Sequence, residues 1–521
     1  MPDQPVLLDG SSLTIQQVID VARNRREVKI PAKTMALIKA NNELLKDIVR
    51  KGKRCYGITT GLGPLSEKRL SREEARELQK NMVLSHACAV GDPLPTDVVR
   101  ATLLLRANAL AKGRSGVRPE LVNMLVEMLN RGIHPIVPSR GSVGASGDLA
   151  PLAHIALVIA GLPGGKAEIN GEIMDGAKAL EAAGLKPLEL DHKEGLALIN
   201  GVSVTTAVLA LAVHDALVLA KTADICLAMT LEAVGGFLEP FDEEYLNQRN
   251  VFPLSGGHLS CARNVRRMVE GSRLLHDAHR KRAHDPYSIR CAPQIHGAVR
   301  EGLAFTERVV SAALNSIDDN PLFFEKEPCC RSGGNFHGQP LALAADVLSI
   351  SMSVLGNTSE RRTALLMNSY LSEVLPDFLI WPGIRPGLNS GLMLTQYVAA
   401  SLASENRIYA CPAGIGTIPT SANFEDVVSM SLTAALKARR IVENLTYVLA
   451  IELMCAAQAL SIRGAEKAGD GTKAVYEILE DHGIVPIIQD DVLYWRIDEI
   501  AELIRNGEVL KIAEEKIGKI C

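Results

Sequence analysis

Gly141-Ser-Val-Gly-Ala145-Ser146-Gly147-Asp148 is a loop of small residues that runs straight into the apolar positions Leu149, Leu152, Ala153 and Leu157. The spacing of those positions predicts a core-facing helix. The loop ahead of it carries Ala-Ser-Gly, a tripeptide that can turn itself into an electrophile with no bound cofactor. For this the Gly147 nitrogen must attack the Ala145 carbonyl and close a strained five-membered ring. Ala145 hinders that carbonyl little, and Gly147 supplies an unhindered nitrogen with free choice of φ. Loss of the Ser146 hydroxyl as water then leaves an exocyclic methylidene beside an imidazolone. Read alone, the loop is more simply a glycine-rich helix entry with Ser146 or Asp148 as N-cap. A phosphate cradle is disfavoured because no Gly-Lys-Ser/Thr follows. A nucleophile elbow is disfavoured because Asp148 stands where the second glycine belongs.

Working outward, the chain of 521 residues is long enough for several core layers and more than one sub-region. Its formal net charge of −4, without a basic stripe or interleaved aromatics, argues against nucleic acid as a partner. It is 47% apolar but only 4% aromatic, which favours packed long helices over β-sandwiches. The 10 cysteines follow no framework spacing and read as reduced thiols of a cytoplasmic protein. Met1-Pro-Asp-Gln begins no signal-peptide pattern. The run Val202 to Val234 has the apolarity of a membrane span, but His214, Asp215, Lys221, Asp224 and Glu232 interrupt it. It is expected to be a buried bundle helix, with no membrane involved.

Ser12 ahead of Ile15, Val18, Ile19 and Ala22 predicts an early helix, and Ser71-Arg-Glu-Glu74 a capping box. Cys55-Tyr56-Gly-Ile-Thr-Thr-Gly61-Leu-Gly63-Pro64 is too rich in glycine for a regular element. Asn170-Gly171 predicts a small hairpin. Long helical runs are expected at about 202–234, 294–316, 339–372, 391–410 and 426–461, separated by Pro/Gly/Asn clusters, as in a helix bundle. The expected organisation is an N-terminal region (1–201) carrying the tyrosine loop and the Ala-Ser-Gly loop, a central long-helix bundle (202–462) and a C-terminal tail (463–521).

An Ala-Ser-Gly electrophile needs companions: a base for an unactivated β-C–H, an anchor for a carboxylate and groups that fix the substrate side chain. Tyr56, set among glycines, can reach a site as a base. Arg290, in Asp285-Pro-Tyr287-Ser-Ile-Arg290, has the planar fork that suits a carboxylate, although a lone arginine is more commonly a structural ion pair. Glu425, just before the last long run, is equally suited to that helix N-terminus. His276, His279 and His284 do not share one helix face and have no accompanying thiol or carboxylate in register, so no metal site is expected.

Taken together, these stretches resemble the histidine and aromatic amino-acid ammonia-lyase family, over about Leu8 to Gly464. The resemblance rests on Tyr56-Gly-Ile-Thr-Thr-Gly, Ser85-His86-Ala, the Gly141 loop through His154, Ile199-Asn200-Gly201, Tyr287-Ser-Ile-Arg290, Asp319-Asn320-Pro321, Gly333-Gly-Asn335-Phe336-His337, Ser359-Glu360-Arg361-Arg362 and Thr420-Ser-Ala-Asn423. It implies a mainly α, fumarase/aspartase-like long-helix bundle with a small hairpin-containing N-terminal region. It also implies a homotetramer whose active sites take loops from three subunits, and a methylidene-imidazolone (MIO) group formed from Ala145, Ser146 and Gly147, with no external cofactor.

By the same resemblance Tyr56 is the base. Asn200 and Tyr287 hydrogen-bond around the electrophile and substrate amine. Arg290 clamps the carboxylate with help from Asn335, and Phe336 lines the pocket. His86, Met393 and Glu425 match positions of the histidine-specific members, which implies elimination of ammonia from L-histidine to give trans-urocanate. A phenyl ring would leave His86 and Glu425 unpaired. A tyrosine ammonia-lyase or an aromatic 2,3-aminomutase uses the same chemistry and stays open as the alternative. Three departures from the family pattern are His284, Val202 and the tyrosine loop, with Thr59 and Leu62 in Ile58-Thr-Thr-Gly-Leu62; His284 would put a titratable ring near the substrate.

Overall fold

The first helix starts at Ile15, because the Thr14 hydroxyl accepts the Gln17 N–H and the Gln17 side chain returns to the Thr14 N–H. Ser12, the expected start, instead has its own N–H bonded to the Asp9 carboxylate at 2.9 Å. The computed structural model describes residues 4–249, 251–275, 282–326 and 329–521. His276 and His279 lie outside the described residues; His284 is exposed. The described residues form twenty α-helices and nine short strands, and the chain divides into two units.

The first unit comprises Met1–His214, Glu307–Asp346 and Pro412–Leu436. Its central helix, Thr96–Ala111, is buried from Val98 to Ala111, including Arg100, Arg106 and Asn108. Arg100 is tolerated there because it donates to Val21 O at 2.8 Å and Leu129 O at 3.0 Å, carbonyls at two helix C-termini. The Ser71–Glu74 capping box is present and opens Arg72–His86. Lys166–Ile169 and Glu172–Asp175 pair antiparallel around Asn170 (φ 53°) and Gly171 (φ 85°), the double positive φ that an Asn-Gly hairpin turn requires. One cysteine expectation is corrected. Cys55 and Cys330 form a disulfide, since the hairpin Leu322–Phe324/Cys329–Arg331 packs beside Leu45, Ile48 and Ile58 and brings the two Cα atoms to 6.5 Å. The other cysteines are free.

The second unit comprises Asp215–Thr306, Val347–Cys411 and Lys437–Cys521. The long helices are Ser203–Ala233, Ala292–Leu314, Gln339–Leu366, Met393–Tyr409 and Ser431–Arg463, close to the expected runs. One run ends early because Asn368 caps a separate turn, Ser369–Ser372, through the Leu371 N–H. After Gly464 the chain continues in helices Asp470–Asp481, Tyr494–Arg505 and Glu508–Ile517. Among the described residues three helices are long and apolar enough to cross a membrane, yet 72–83% of their most apolar windows is buried within the protein.

The charges that interrupt the apolar run 202–234 have buried partners. Asp224 accepts from His296 Nδ1 at 2.7 Å, Arg300 Nη2 at 2.8 Å and Asn264 Nδ2 at 2.8 Å. Arg300 and Asn264 also donate to the Cys521 carbonyl, at 2.8 and 3.0 Å, which ties down the chain end. Glu232 likewise accepts the Gly469 N–H at 2.7 Å and the Thr472 hydroxyl. Cys261 joins Asp224 and His296 in a cluster of metal-ligand types, but Arg300 already supplies the positive charge at this carboxylate. Burial alone would push the Asp224 carboxyl up; Arg300 and His296 outweigh it and hold the group at about 2. Because that value lies below the ordinary carboxylate range, the stability it carries is present above about pH 4 and is lost as pH falls toward 2. Asp224→Asn should cost about 3–5 kcal/mol at neutral pH by stranding Arg300. In urea titrations from pH 7 down to pH 2, the gap between wild type and variant should narrow below about pH 4.

Candidate active site

The site starts from a close approach of two glycines in the first unit. Gly147 (φ 80°) packs against Gly201 so tightly that a Cβ on it would overlap the Gly201 carbonyl. Two hydrogen bonds fix the contact: Asp148 N–H to Gly201 O at 2.7 Å and Gly201 N–H to Ser146 O at 3.3 Å. On the other side of the loop, Gly144 O accepts from Gly338 N at 3.0 Å and Ser429 Oγ at 2.9 Å. Ala145 and Gly147 are thereby buried, while Ser146 stays half-buried.

Asp148 occupies the N-cap position of Leu149–Ile159, but its side chain makes no capping bond there. It accepts instead from Thr205 N at 2.8 Å, Thr205 Oγ1 at 2.9 Å and Ser142 Oγ at 2.9 Å. It therefore satisfies an orphan N–H in the first turn of a different helix, Ser203–Ala233. Complete burial raises this carboxyl to about 6, against the three donors.

Beneath the loop lies a pair of buried ion pairs. Arg106 Nη2 meets Asp318 Oδ1 at 3.0 Å and its Nη1 donates to Asn200 O at 2.9 Å. Asp318 Oδ2 takes the Val202 N–H at 2.7 Å. Lys193 Nζ meets Asp319 Oδ1 at 2.6 Å with both side chains fully buried. Burial pushes the Lys193 ammonium below its ordinary range, and Asp319 pulls it back up. Asn320 passes the order on, accepting Asn200 Nδ2 at its carbonyl (3.0 Å) and Gly333 N at its side chain (2.8 Å). The remaining oxygen, Asn200 Oδ1, is buried without a hydrogen-bond partner among the described residues.

These elements surround a cavity of about 1100 Å³ lined by Tyr56, Met82, His86, Ala145, Ser146, Asn200, Phe336 and Glu425 among others. Tyr56 Oη receives the Gly63 N–H at 3.0 Å. Ser85 Oγ donates to Met82 O (3.2 Å) and lies 3.1 Å from His86 Nδ1. Which of Ser85 Oγ and His86 Nδ1 donates is set by the imidazole tautomer, so His86 can offer its other ring nitrogen either as donor or as acceptor. Ser146 Oγ donates to Glu425 Oε1 at 2.7 Å, and Thr420 Oγ1 to Glu425 Oε2 at 3.0 Å. Glu425 is not at a helix N-terminus: the last long helix begins at Ser431.

Of the residues singled out in sequence, Tyr56, His86, Ala145, Ser146, Asn200, Phe336 and Glu425 line this one cavity, and Gly147 shapes its loop. Asn335 is exposed beside Phe336. His284, Tyr287, Arg290 and Met393 belong to the second unit. There Tyr287 is 71% exposed, and Arg290, also exposed, lies 5.9 Å from the Tyr287 ring. Sequence reading missed Lys193 and Arg106, which no quoted motif contains, and took Thr420 only as a motif residue without a role. It also gave Asp148 the wrong helix to cap.

The ion pairs are open to a direct test. Lys193→Met should cost about 3–5 kcal/mol by leaving Asp319 buried and unpaired, and adding Asp319→Asn should restore part of it. Chemical denaturation of the single and double variants checks both effects.

The aromatic amino acid lyase family model matches residues 13–481. The chain is 48% identical over 511 residues to a histidine ammonia-lyase of Symbiobacterium thermophilum, covering 98% of this chain and 99% of that one. Among solved structures it is similar to a tyrosine aminomutase of Streptomyces globisporus (TM-score 0.92, 37% identity, 98% and 99% of the two chains). It is also similar to a histidine ammonia-lyase of Trypanosoma cruzi (TM-score 0.89, 36% identity, 98% and 96%). With the family model matching residues 13–481 and relatives of 36–48% identity matched across nearly the whole length, the chain belongs to the aromatic amino acid lyase family.

Proposed function

We propose that this chain is a histidine ammonia-lyase, converting L-histidine to trans-urocanate and ammonia with an MIO group made from Ala145, Ser146 and Gly147. The observation that carries the substrate is a pair of polar groups in one cavity with Ser146: the His86 imidazole and the Glu425 carboxylate. A neutral imidazole brings one N–H, which suits the Glu425 carboxylate, and one acceptor nitrogen, which suits an N–H of His86. A phenyl ring offers neither and would leave both groups unpaired, at about 1–3 kcal/mol each.

The loop suits the ring in three respects. Gly147 sits where a side chain cannot, Ser146 Oγ is held at a carboxylate, and buried Asn200 Oδ1 lacks a partner among the described residues. When formed, the ring supplies an electrophile that makes the substrate amino group a better leaving group. The chain's own residues do the rest. Arg290, which has no carboxylate partner among the described residues, clamps the substrate carboxylate, with Asn335 assisting. Tyr56 removes the β proton, its oxygen placed by the Gly63 N–H. Asn200 and Tyr287 bond the amine, Phe336 and Met393 shape the side-chain pocket, and His284 lies near the substrate. As the amino group leaves, the β-carbon electrons form the urocanate double bond.

We place the enzyme in the cytoplasm as a homotetramer with shared sites. Exposed Tyr370, Leu388 and Ile408, at 87%, 77% and 72%, support burial against other copies.

Purified protein incubated in parallel with L-histidine, L-tyrosine and L-phenylalanine, followed by proton NMR, should yield urocanate from histidine alone. A β-amino acid product would identify an aminomutase instead. Ser146→Ala should abolish turnover with the fold intact. Tyr56→Phe should lower kcat by about 10²–10⁴ with the two-water mass deficit of the ring retained.

A further inference from the structure

Glu425 stands on a loop whose backbone is unusual. Ser421, Ala422 and Asn423 are consecutive non-glycine residues in the left-handed region, at φ 53°, 55° and 65°. Each costs about 1–2 kcal/mol relative to the right-handed form, so the loop persists only because its surroundings impose it. Thr420 and Glu425 close it by exchanging backbone hydrogen bonds at 3.0 and 3.3 Å. The Thr420 hydroxyl then pins Glu425 Oε2 at 3.0 Å, and Oε1 is left to meet Ser146 Oγ at 2.7 Å. That hydroxyl is the group that must leave when the ring is made, and Glu425 is its only hydrogen-bond partner among the described residues.

Resting on the MIO reading above, we propose that Glu425 is a catalytic residue of ring formation: it carries the proton in the dehydration of Ser146. Ring closure comes first. The Gly147 nitrogen bonds to the Ala145 carbonyl carbon, and that oxygen departs as water with the hydrogens of the Gly147 and Ser146 amides. The Ser146 Cα–H is now acidified by the adjoining ring, because the charge left by its proton spreads into the conjugated carbonyl. The Glu425 carboxylate takes this proton. The Cα electron pair forms the Cα=Cβ bond, the Cβ–Oγ bond breaks, and the same carboxyl hands its proton to the departing oxygen. A second water leaves, Glu425 is a carboxylate again, and no oxidant or reductant is consumed. Without such a proton carrier the leaving group would be hydroxide.

The test reads the protein's mass and not its turnover. Wild type, Glu425→Gln and Thr420→Val are made by cell-free synthesis and sampled over time. Intact mass and fragmentation of the loop peptide count the waters lost, and circular dichroism establishes folding. Glutamine keeps the size and hydrogen-bonding capacity of Glu425 but cannot shuttle a proton. Glu425→Gln should accumulate a species lacking one water and lose the second about a hundredfold more slowly than wild type. Thr420→Val, which loosens the carboxylate without removing it, should slow the second loss to a smaller extent, and it provides the test if Glu425→Gln does not fold. Loss of both waters at the wild-type rate in Glu425→Gln overturns the proposal. So does a Glu425→Gln chain that folds and loses no water, because the residue would then act at ring closure. Thr420→Val maturing at the wild-type rate overturns it where that variant alone folds. A wild-type protein without the two-water deficit would instead refute the MIO reading itself.

Discussion

The contact between Arg106 and Asp318 sets the geometry on which the rest of the cavity depends. One guanidinium holds the Asn200 carbonyl and the Asp318 carboxylate together, and Asp318 in turn takes the Val202 N–H. The segment Asn200-Gly201-Val202 is thus fixed from below by charge. Gly201 can then present its carbonyl to the Asp148 N–H, against which the Ala-Ser-Gly loop is laid. Lys193 and Asp319 repeat the device one residue further along, and Asn320 carries it to Gly333 at the cavity wall. Buried ion pairs add little net stability compared with apolar packing. Here they set positions: each charged group also bonds backbone at a cavity-lining segment, or bonds a group that does.

Much of the architecture was legible because helices write their period into sequence. The runs starting near 202, 294, 339 and 391 are found at Ser203, Ala292, Gln339 and Met393. The last run starts later than its apolar pattern, at Ser431, because the chain before it is held in left-handed turns that periodicity does not encode. The Asn170-Gly171 hairpin and the Ser71 capping box were legible for the same reason as the helices: each is decided by residues within four positions.

The site was legible as a set of motifs, but its wiring was not. Asp148 reads in sequence as a local N-cap, yet it serves Thr205, 57 residues on. Lys193 belongs to no motif that the sequence marks, yet it is fully buried against a residue 126 positions away. Cys55 and Cys330 read as unrelated thiols because 275 residues separate them. In each case the partner is chosen by tertiary packing, which a local pattern does not carry.

On the proposed reading, one carboxylate serves two stages, and the order of events makes this consistent. While Ser146 keeps its hydroxyl, Glu425 Oε1 is engaged by it. Loss of that hydroxyl removes the donor and leaves Oε1 in the cavity wall as an unpaired acceptor. A buried or half-buried acceptor without a donor is unfavourable by about 1–3 kcal/mol, and a substrate that brings an N–H relieves the deficit. Maturation would therefore also prepare the pocket for its ligand. The free Glu425 oxygen is created by the same step that makes the electrophile, so an immature chain lacks both the chemistry and that acceptor. Imidazole recognition would thus depend on the ring having formed.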